Sequence, residues 1–300
     1  MRRGSVFRLG LLALCWGSSF LWIKLALRGF TPVQIVAGRI VLGAAVLLVL
    51  VRISGHRLPR RPALWGYLLG AAVVSNVAPF LLFAIGEQRV GSGLAGVLNG
   101  TTPLWTFAIA LAVRHEREVS AARVLGLVLG FGGVLLIFSP WRGGTTASTV
   151  GALACLVAGA AYGVSYVYMD RYLAGRELAP IVLSSSQLAA GSVLMLLVTP
   201  VAGRSEPTLR ADSVIAVVLL GVICTGVTFA LNYRLIADEG ATATSTVAYL
   251  LPVVAVILGA LALGEPLTAH VVAGMAVVLV GVGLARRRAV SVSSPVGDPG

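Results

Sequence analysis

Residues 91–116, GSGLAGVLNGTTPLWTFAIALAVRHE, align without a gap on residues 240–265, GATATSTVAYLLPVVAVILGALALGE, at an offset of 149. Pro103 falls on Pro252 and Glu116 on Glu265. The correspondence continues outward in both directions. WGSSFLWIK at 16–24 is echoed by YGVSYVYMD at 162–170, 146 positions later, and Gly126 and Gly133 meet Gly274 and Gly281 at an offset of 148. Similarity sustained at a nearly fixed period marks a duplicated unit, with small loop differences absorbing the drift.

The duplicated unit is built for lipid. Hydrophobic residues make up 58% of the 300 and charged residues 11%, with a mean hydropathy of +0.95. Soluble domains are roughly half apolar and a quarter charged. The net charge of +12 does not point to nucleic acid, because the cations sit in short clusters between apolar runs and not on one face. Ten apolar stretches of about 18 to 23 residues are each long enough to cross a hydrocarbon core. They are predicted at 6–26, 33–51, 65–86, 92–113, 121–138, 149–169, 180–201, 212–232, 242–263 and 268–285. The start, MRRGSVFRLGLLAL, has the charge pattern of a secretory signal but no small-residue cleavage site, and is read as the uncleaved first span.

Cations set the orientation, since loops rich in Lys and Arg stay cytoplasmic. With the N-terminus inside, sixteen of the 23 basic residues fall on the inner side and six on the outer: Lys24, Arg28, Arg89, Arg142, Arg204 and Arg210. Arg39 lies within a span. Both termini are therefore expected in the cytoplasm of a multi-pass protein of the cell (inner) membrane. Five spans per unit is an odd number, so the second copy enters the bilayer from the opposite side. The predicted fold is an all-α integral membrane protein with ten transmembrane helices, arranged as two inverted five-helix repeats around a central cavity. The repeats are set at 1–140 and 149–286, with an external linker at 141–148 and a disordered cytoplasmic tail at 287–300. Two antiparallel copies that exchange shapes give two nearly equivalent states open to opposite sides, which is what alternating access needs.

Polar side chains within spans are costly and default to functional candidates. Arg39, about two turns from the outer surface, offers a guanidinium fork to a carboxylate or phosphate; the alternatives are snorkelling or a structural bond to a neighbouring helix. In the repeated wedge, Gly17 and Gly163 suit close helix approach, while Trp16 and Tyr162 suit either a cavity wall or packing. Ser19 and Ser165 lie beside them. Asn76, Asn99 and Asn232 need partners between helices or in a wet cavity. Pro103 cannot donate to the carbonyl of Asn99, which would leave backbone polarity free beside Thr101 and Thr102. Tyr249 beside Pro252 is the counterpart region in the second unit. The predicted solute-binding set is Trp16, Ser19, Arg39, Asn76, Asn99, Tyr162, Ser165 and Tyr249, with kinks at Pro79, Pro103 and Pro252. Gln187 and Ser184 to Ser186 are weaker candidates. Gly66/Gly70 and Gly126/Gly130 have the spacing of tight crossings.

Other chemistry finds little support. None of the eleven acidic residues falls near a predicted span centre, so the reading expects no buried carboxylate to carry a proton. Glu87 is placed close to the outer mouth, where it can still couple weakly or pair with Arg39 or Lys24, and a facilitated, gradient-driven path is the equal alternative. Cys15, Cys155 and Cys224 fall inside spans without metal or disulfide spacing and read as packing residues. HExxH, GxSxG and Walker A patterns are missing, so no enzyme activity, metal or cofactor is expected.

WGSSFLWIK, Arg39 in AGRIVLGAAVL, APFLLFAIGEQRVGSGLAGVLNGTTPLW and YLLPVVAVILGALALGEPLTAHVVAGMAVVLVGVGL together resemble the ten-span EamA-domain members of the drug/metabolite transporter superfamily, over residues 8–286. The resemblance implies transport, commonly export, of small organic solutes such as amino acids by ten helices around a cavity. The Gly-Glu-Pro of the second repeat is His115, Glu116, Arg117 in the first, so the turn that Pro266 enforces is looser there. Related small multidrug pumps carry a membrane-embedded glutamate in the first helix, and this chain has none. The expected function is secondary transport of a small organic solute across the lipid bilayer. A multidrug exporter and a non-transporting scaffold or sensor are the alternatives, and monomer and homodimer both stay open.

Overall fold

The computed structural model describes residues 3–113, 121–138, 146–173, 176, 178–232, 234–235, 238 and 247–285. The tail at 287–300, the His115–Glu116–Arg117 turn and the side chain of Tyr249 lie outside the described residues.

The described residues form ten helical elements. These are α1 (Arg3–Gly17, continued by Ser19–Ala26), α2 (Pro32–Ile53), α3 (Pro62–Ala72, Val73–Val77, Ala78–Glu87), α4 (Ser92–Asn99, Thr102–Ala112) and α5 (Ala121–Phe138). The second half holds α6 (Thr146–Tyr172), α7 (Pro180–Ala202), α8 (Ala211–Val218 and Leu219–Val227, running on to 232), α9 (Val247–Leu263) and α10 (Ala269–Ala285). Seven are long and apolar enough to cross a membrane outright, and the apolar cores of α5, α9 and α10 are shorter. In lipid a helix keeps every interior backbone hydrogen bond within itself, which is why such runs form no other structure. Helix α6 begins at Thr146, so it reaches into the predicted 141–148 linker.

Helix starts follow local chemistry. Thr31 caps α2 by accepting from the Gln34 amide at 3.3 Å, and the Gln34 side chain accepts from the Thr31 amide at 3.0 Å, with Pro32 in the first turn. Pro62 and Pro180 likewise stand in the first turns of α3 and α7, without a capping side chain.

Packing respects the duplication. Helices α2, α4 and α5 each pack on their own counterparts α7, α9 and α10. The contact of α1 with α9 is matched by α6 with α4, α1 with α8 by α6 with α3, and α2 with α8 by α7 with α3. The wedge glycines sit at two such matched crossings. A Cβ on Gly17 would lie 2.6 Å from Cβ of Val254 on α9, and one on Gly163 would lie 2.8 Å from Cβ of Trp105 on α4. Gly130, Gly133 and Gly281 bring α5 and α10 into backbone contact, whereas Gly66 faces open space and marks no crossing.

Two helices leave α-geometry at equivalent places. Helix α3 makes a π turn over Val73–Val77 and α8 one over Leu219–Val227. Pro79 follows the first, and its missing N–H removes a bond to the carbonyl four residues back, at Ser75. The second turn has Thr228 at the corresponding position, so proline is not required for it. Helix α4 is interrupted at Gly100 and Thr101 before Pro103, while α9 runs through Pro252 without interruption.

Candidate functional site

Arg39 is buried at 6% exposure in the middle of α2. Its Nε donates to Oγ1 of Thr225 at 3.0 Å, and its guanidinium carbon lies 3.7 Å from the centre of the Phe80 ring. The Thr225 hydroxyl in turn donates to the carbonyl of Leu220 at 2.8 Å, inside the π turn of α8. The small side of α8 makes this possible: a Cβ on Gly221 would meet Cβ of Leu42 at 2.5 Å, and one on Gly226 would meet Cβ of Val46 at 2.6 Å. Desolvated cation–π contacts contribute about 2 kcal/mol, so ring and hydroxyl together offset part of the cost of a buried cation.

Applying the repeat offset of 148 to Arg39 gives Gln187, and applying 149 to Asn76 gives Thr225. Gln187 and Asn76 are themselves bonded, Nε2 of Gln187 donating to Oδ1 of Asn76 at 2.6 Å, with both residues buried. Each half thus sends a long polar side chain from its second helix onto the π turn in the third helix of the other half. Sequence reading ranked Gln187 as minor and passed over Thr225. The internal offset was the signal that would have found both.

Tyr162 packs against the cluster of Ile40, Phe80 and Leu188, and its ring centre lies 6.2 Å from that of Phe83. Arg39, Asn76 and Tyr162 of the predicted set therefore share one central region, which is closely packed. Trp16 stands apart among Leu12, Ala13, Leu235 and Val247, its ring edge-on to Phe229 at 6.2 Å. The Ser165 hydroxyl donates to the Tyr162 carbonyl at 2.8 Å and that of Ser19 to the Cys15 carbonyl at 3.5 Å, each within its own helix. The backbone at Pro103 corrects the expectation of a free carbonyl, because the Thr102 hydroxyl donates to the Asn99 carbonyl at 2.8 Å. The unpartnered atoms there are Oδ1 of Asn99 and Nε1 of Trp105, both buried.

A second polar region lies where α1 and α3 end. A cavity of about 480 Å³ is lined by Lys24, Leu27, Arg28, Glu87, Gln88, Leu263 and Glu265. Glu265 holds the start of α4, accepting from the amides of Ser92 at 2.6 Å and Gly93 at 2.9 Å, and so ties the end of α9 to the other half. Lys24 donates to the backbone carbonyls of Glu87 at 2.5 Å and Val90 at 2.7 Å. Glu87 is fully buried. This corrects the expectation that no carboxylate is buried. Helix α3 reaches one residue past its predicted end, so Glu87 is still helical where it packs among its neighbours.

The family profile of the EamA-like transporters matches residues 5–139 and again 149–287. The chain belongs to the EamA-like transporter family. Several relatives of this EamA-like chain carry transporter names. An "uncharacterized transporter" of Archaeoglobus fulgidus is 27% identical over 91% of this chain and 95% of its own. The "uncharacterized transporter YdfC" of Bacillus subtilis is 28% identical over 83% and 80%. The "uncharacterized inner membrane transporter YedA" of Escherichia coli is 28% identical over 88% and 84%. A solved crystal structure covers 95% of the EamA-like chain and 97% of its own with a TM-score of 0.65 at 19% identity, a likeness of fold alone.

Proposed function

We propose that this EamA-like protein is a secondary transporter that carries a small organic solute, an amino acid or related metabolite, across the cytoplasmic membrane by rocking its two five-helix halves, with export the favoured direction. Membership of a family whose named relatives are transporters supports transport as such. The observation that carries the mechanism is the matched pair of bonds between halves, Arg39 to Thr225 and Gln187 to Asn76. An inverted pair of polar contacts at the centre is what two exchangeable conformations would share, since each contact can lengthen as its counterpart closes.

In this reading a solute carboxylate takes the Arg39 guanidinium from Thr225. Tyr162, Asn76 and the unpartnered Oδ1 of Asn99 supply further polar contacts, and Ser165, Ser19, Trp16 and Tyr249 flank the path. The π turns and the Pro103 break let α3, α8 and α4 flex without stranding backbone groups. The 480 Å³ cavity is then the outer vestibule, given the cytoplasmic termini that the loop cations favour.

The test is uptake of a panel of radiolabelled amino acids and small metabolites into proteoliposomes, comparing wild type with Arg39→Lys. Flux of a carboxylate solute that falls at least tenfold in a folded Arg39→Lys supports the reading. Flux unaffected by the substitution removes Arg39 from the path, and no flux from any panel member favours a scaffold or sensor role.

A further inference from the structure

Glu87 is the residue that the transport reading leaves unexplained. Its side chain has no exposure, and neither carboxyl oxygen has a hydrogen-bond partner. An isolated carboxylate in such surroundings is among the most expensive groups a protein can bury, and the neutral acid removes most of that cost. Yet the residue lines a cavity that also holds Lys24, Arg28 and Glu265. A buried acid in the wall of a polar cavity is a place where a proton can be taken up and given back.

Three occupants would satisfy that carboxyl: a metal cation, a solute ammonium or a proton. The neighbours discriminate among them. Lys24 brings its ammonium to this spot and donates to the carbonyls of Glu87 and Val90, so a metal ion using those oxygens would sit against a cation already bound to them. The same positive charge opposes every further cation, but a solute ammonium must also find room beside the closed-in carboxyl, whereas a proton abolishes the buried charge itself. Glu265 is already committed to the start of α4, one oxygen accepting from the Ser92 amide and the other from the Gly93 amide. A proton needs no shell and no space.

We propose that Glu87 is the proton-binding site of this carrier, taking one proton from the vestibule as a carboxylate and holding it as the neutral acid when the halves close over it. This rests on the transport reading for its purpose but not for its chemistry. The charged and titratable groups around it are Lys24 and Arg28 on α1, Arg39 on α2, Arg89 in the following turn, Cys155 and Tyr162 on α6 and Glu265 after α9. Only water and protons exchange in the step: a hydronium in the cavity gives its proton to the carboxylate, and the reverse transfer returns it. Lys24 keeps its own proton, fixed by its two carbonyl acceptors.

The full-length protein in phosphatidylethanolamine–phosphatidylglycerol liposomes provides the test, with Glu87→Gln and Glu87→Asp beside wild type and thermal unfolding as the folding control. Infrared difference spectra across pH steps read the carbonyl stretch of protonated carboxylic acids without any solute. The expected result is a band that titrates in wild type, moves in Glu87→Asp and is missing from Glu87→Gln. Spectra identical in wild type and Glu87→Gln overturn the proposal. In the flux arm, each unit of pH gradient is expected to drive about tenfold accumulation for one proton exchanged per solute, the equivalent of about 1.4 kcal/mol. In Glu87→Gln that accumulation should fall to about onefold while solute exchange persists. Flux driven by a sodium gradient, or indifferent to pH, overturns coupling at Glu87 and leaves transport standing. A panel that does not move at all counts against the transport reading, and the infrared arm then decides on Glu87 alone.

Discussion

Arg39 and Gln187 occupy the same place in the two halves, and each reaches across to the π turn of the opposite half, the one to Thr225 at 3.0 Å and the other to Asn76 at 2.6 Å. One of the pair is charged and the other neutral. In the proposed mechanism both contacts open and close, but only the charged member can attract an anion.

That asymmetry separates stability from activity. Arg39→Met replaces a buried cation with an apolar chain of similar length, and such swaps cost little, so unfolding free energy should stay within about 1 kcal/mol of wild type while solute flux is lost. Thr225→Val strands the guanidinium and should lower stability by about 1–3 kcal/mol. Unfolding in mixed micelles, run beside proteoliposome flux, reads both. Arg39→Met that transports normally would dismiss the argument.

The glycines should behave oppositely according to what they face. Gly163→Ala drives a methyl into Trp105 and Gly17→Ala into Val254, each expected to cost about 1–3 kcal/mol. Gly66→Ala meets nothing within 4 Å and should be neutral or stabilising by up to about 1 kcal/mol, since alanine is the better helix former. Thermal unfolding of the three variants settles the order.

Removing the Glu265 carboxylate exposes two amides at the start of α4. Glu265→Ala should cost about 1–2 kcal/mol, with Glu265→Gln losing less because one oxygen remains. Hydrogen exchange at Ser92 and Gly93 should quicken in both, and unchanged exchange would show that the cap contributes nothing there.

Sidedness is checked by cysteine labelling in a background lacking Cys15, Cys155 and Cys224. Gln88→Cys, in an exposed turn, should react with an impermeant maleimide in intact cells, and His56→Cys, exposed at the opposite end, only after permeabilisation. The reverse pattern would invert the vestibule and place Glu87 on the cytoplasmic side.

Most of the scaffold was legible because lipid makes helices announce themselves: long apolar runs, proline starts, and a duplication carried by Pro103/Pro252 and Gly17/Gly163. Arg39 was legible for the same reason, as a charge where none is cheap. Its partner was not, because a threonine in an apolar span looks like packing until the offset is applied to it. Glu87 was misjudged because burial at a helix end depends on which distant elements pack there, here α6 and α1, and no local pattern encodes that. The free atom at Asn99 moved from backbone to side chain once Thr102 supplied a hydroxyl. Hydroxyl rotors rescue broken helices in ways that residue spacing does not foretell.

The π turn of α3 also carries a lesson in counting. One extra residue in a turn rotates everything beyond it by about 100° relative to an unbroken helix. Residues Pro62–Ala72 therefore present one side to α7, and Ala78–Glu87 present a differently phased side to α6. Deleting a single residue from Val73–Val77 would restore regular geometry and keep Phe80, Phe83 and Glu87 facing their present neighbours, because five residues of π turn advance the chain about as far around the axis as four of α-helix. The extra residue therefore serves the widened turn itself, where Asn76 meets Gln187, and not the phasing of the segment beyond it.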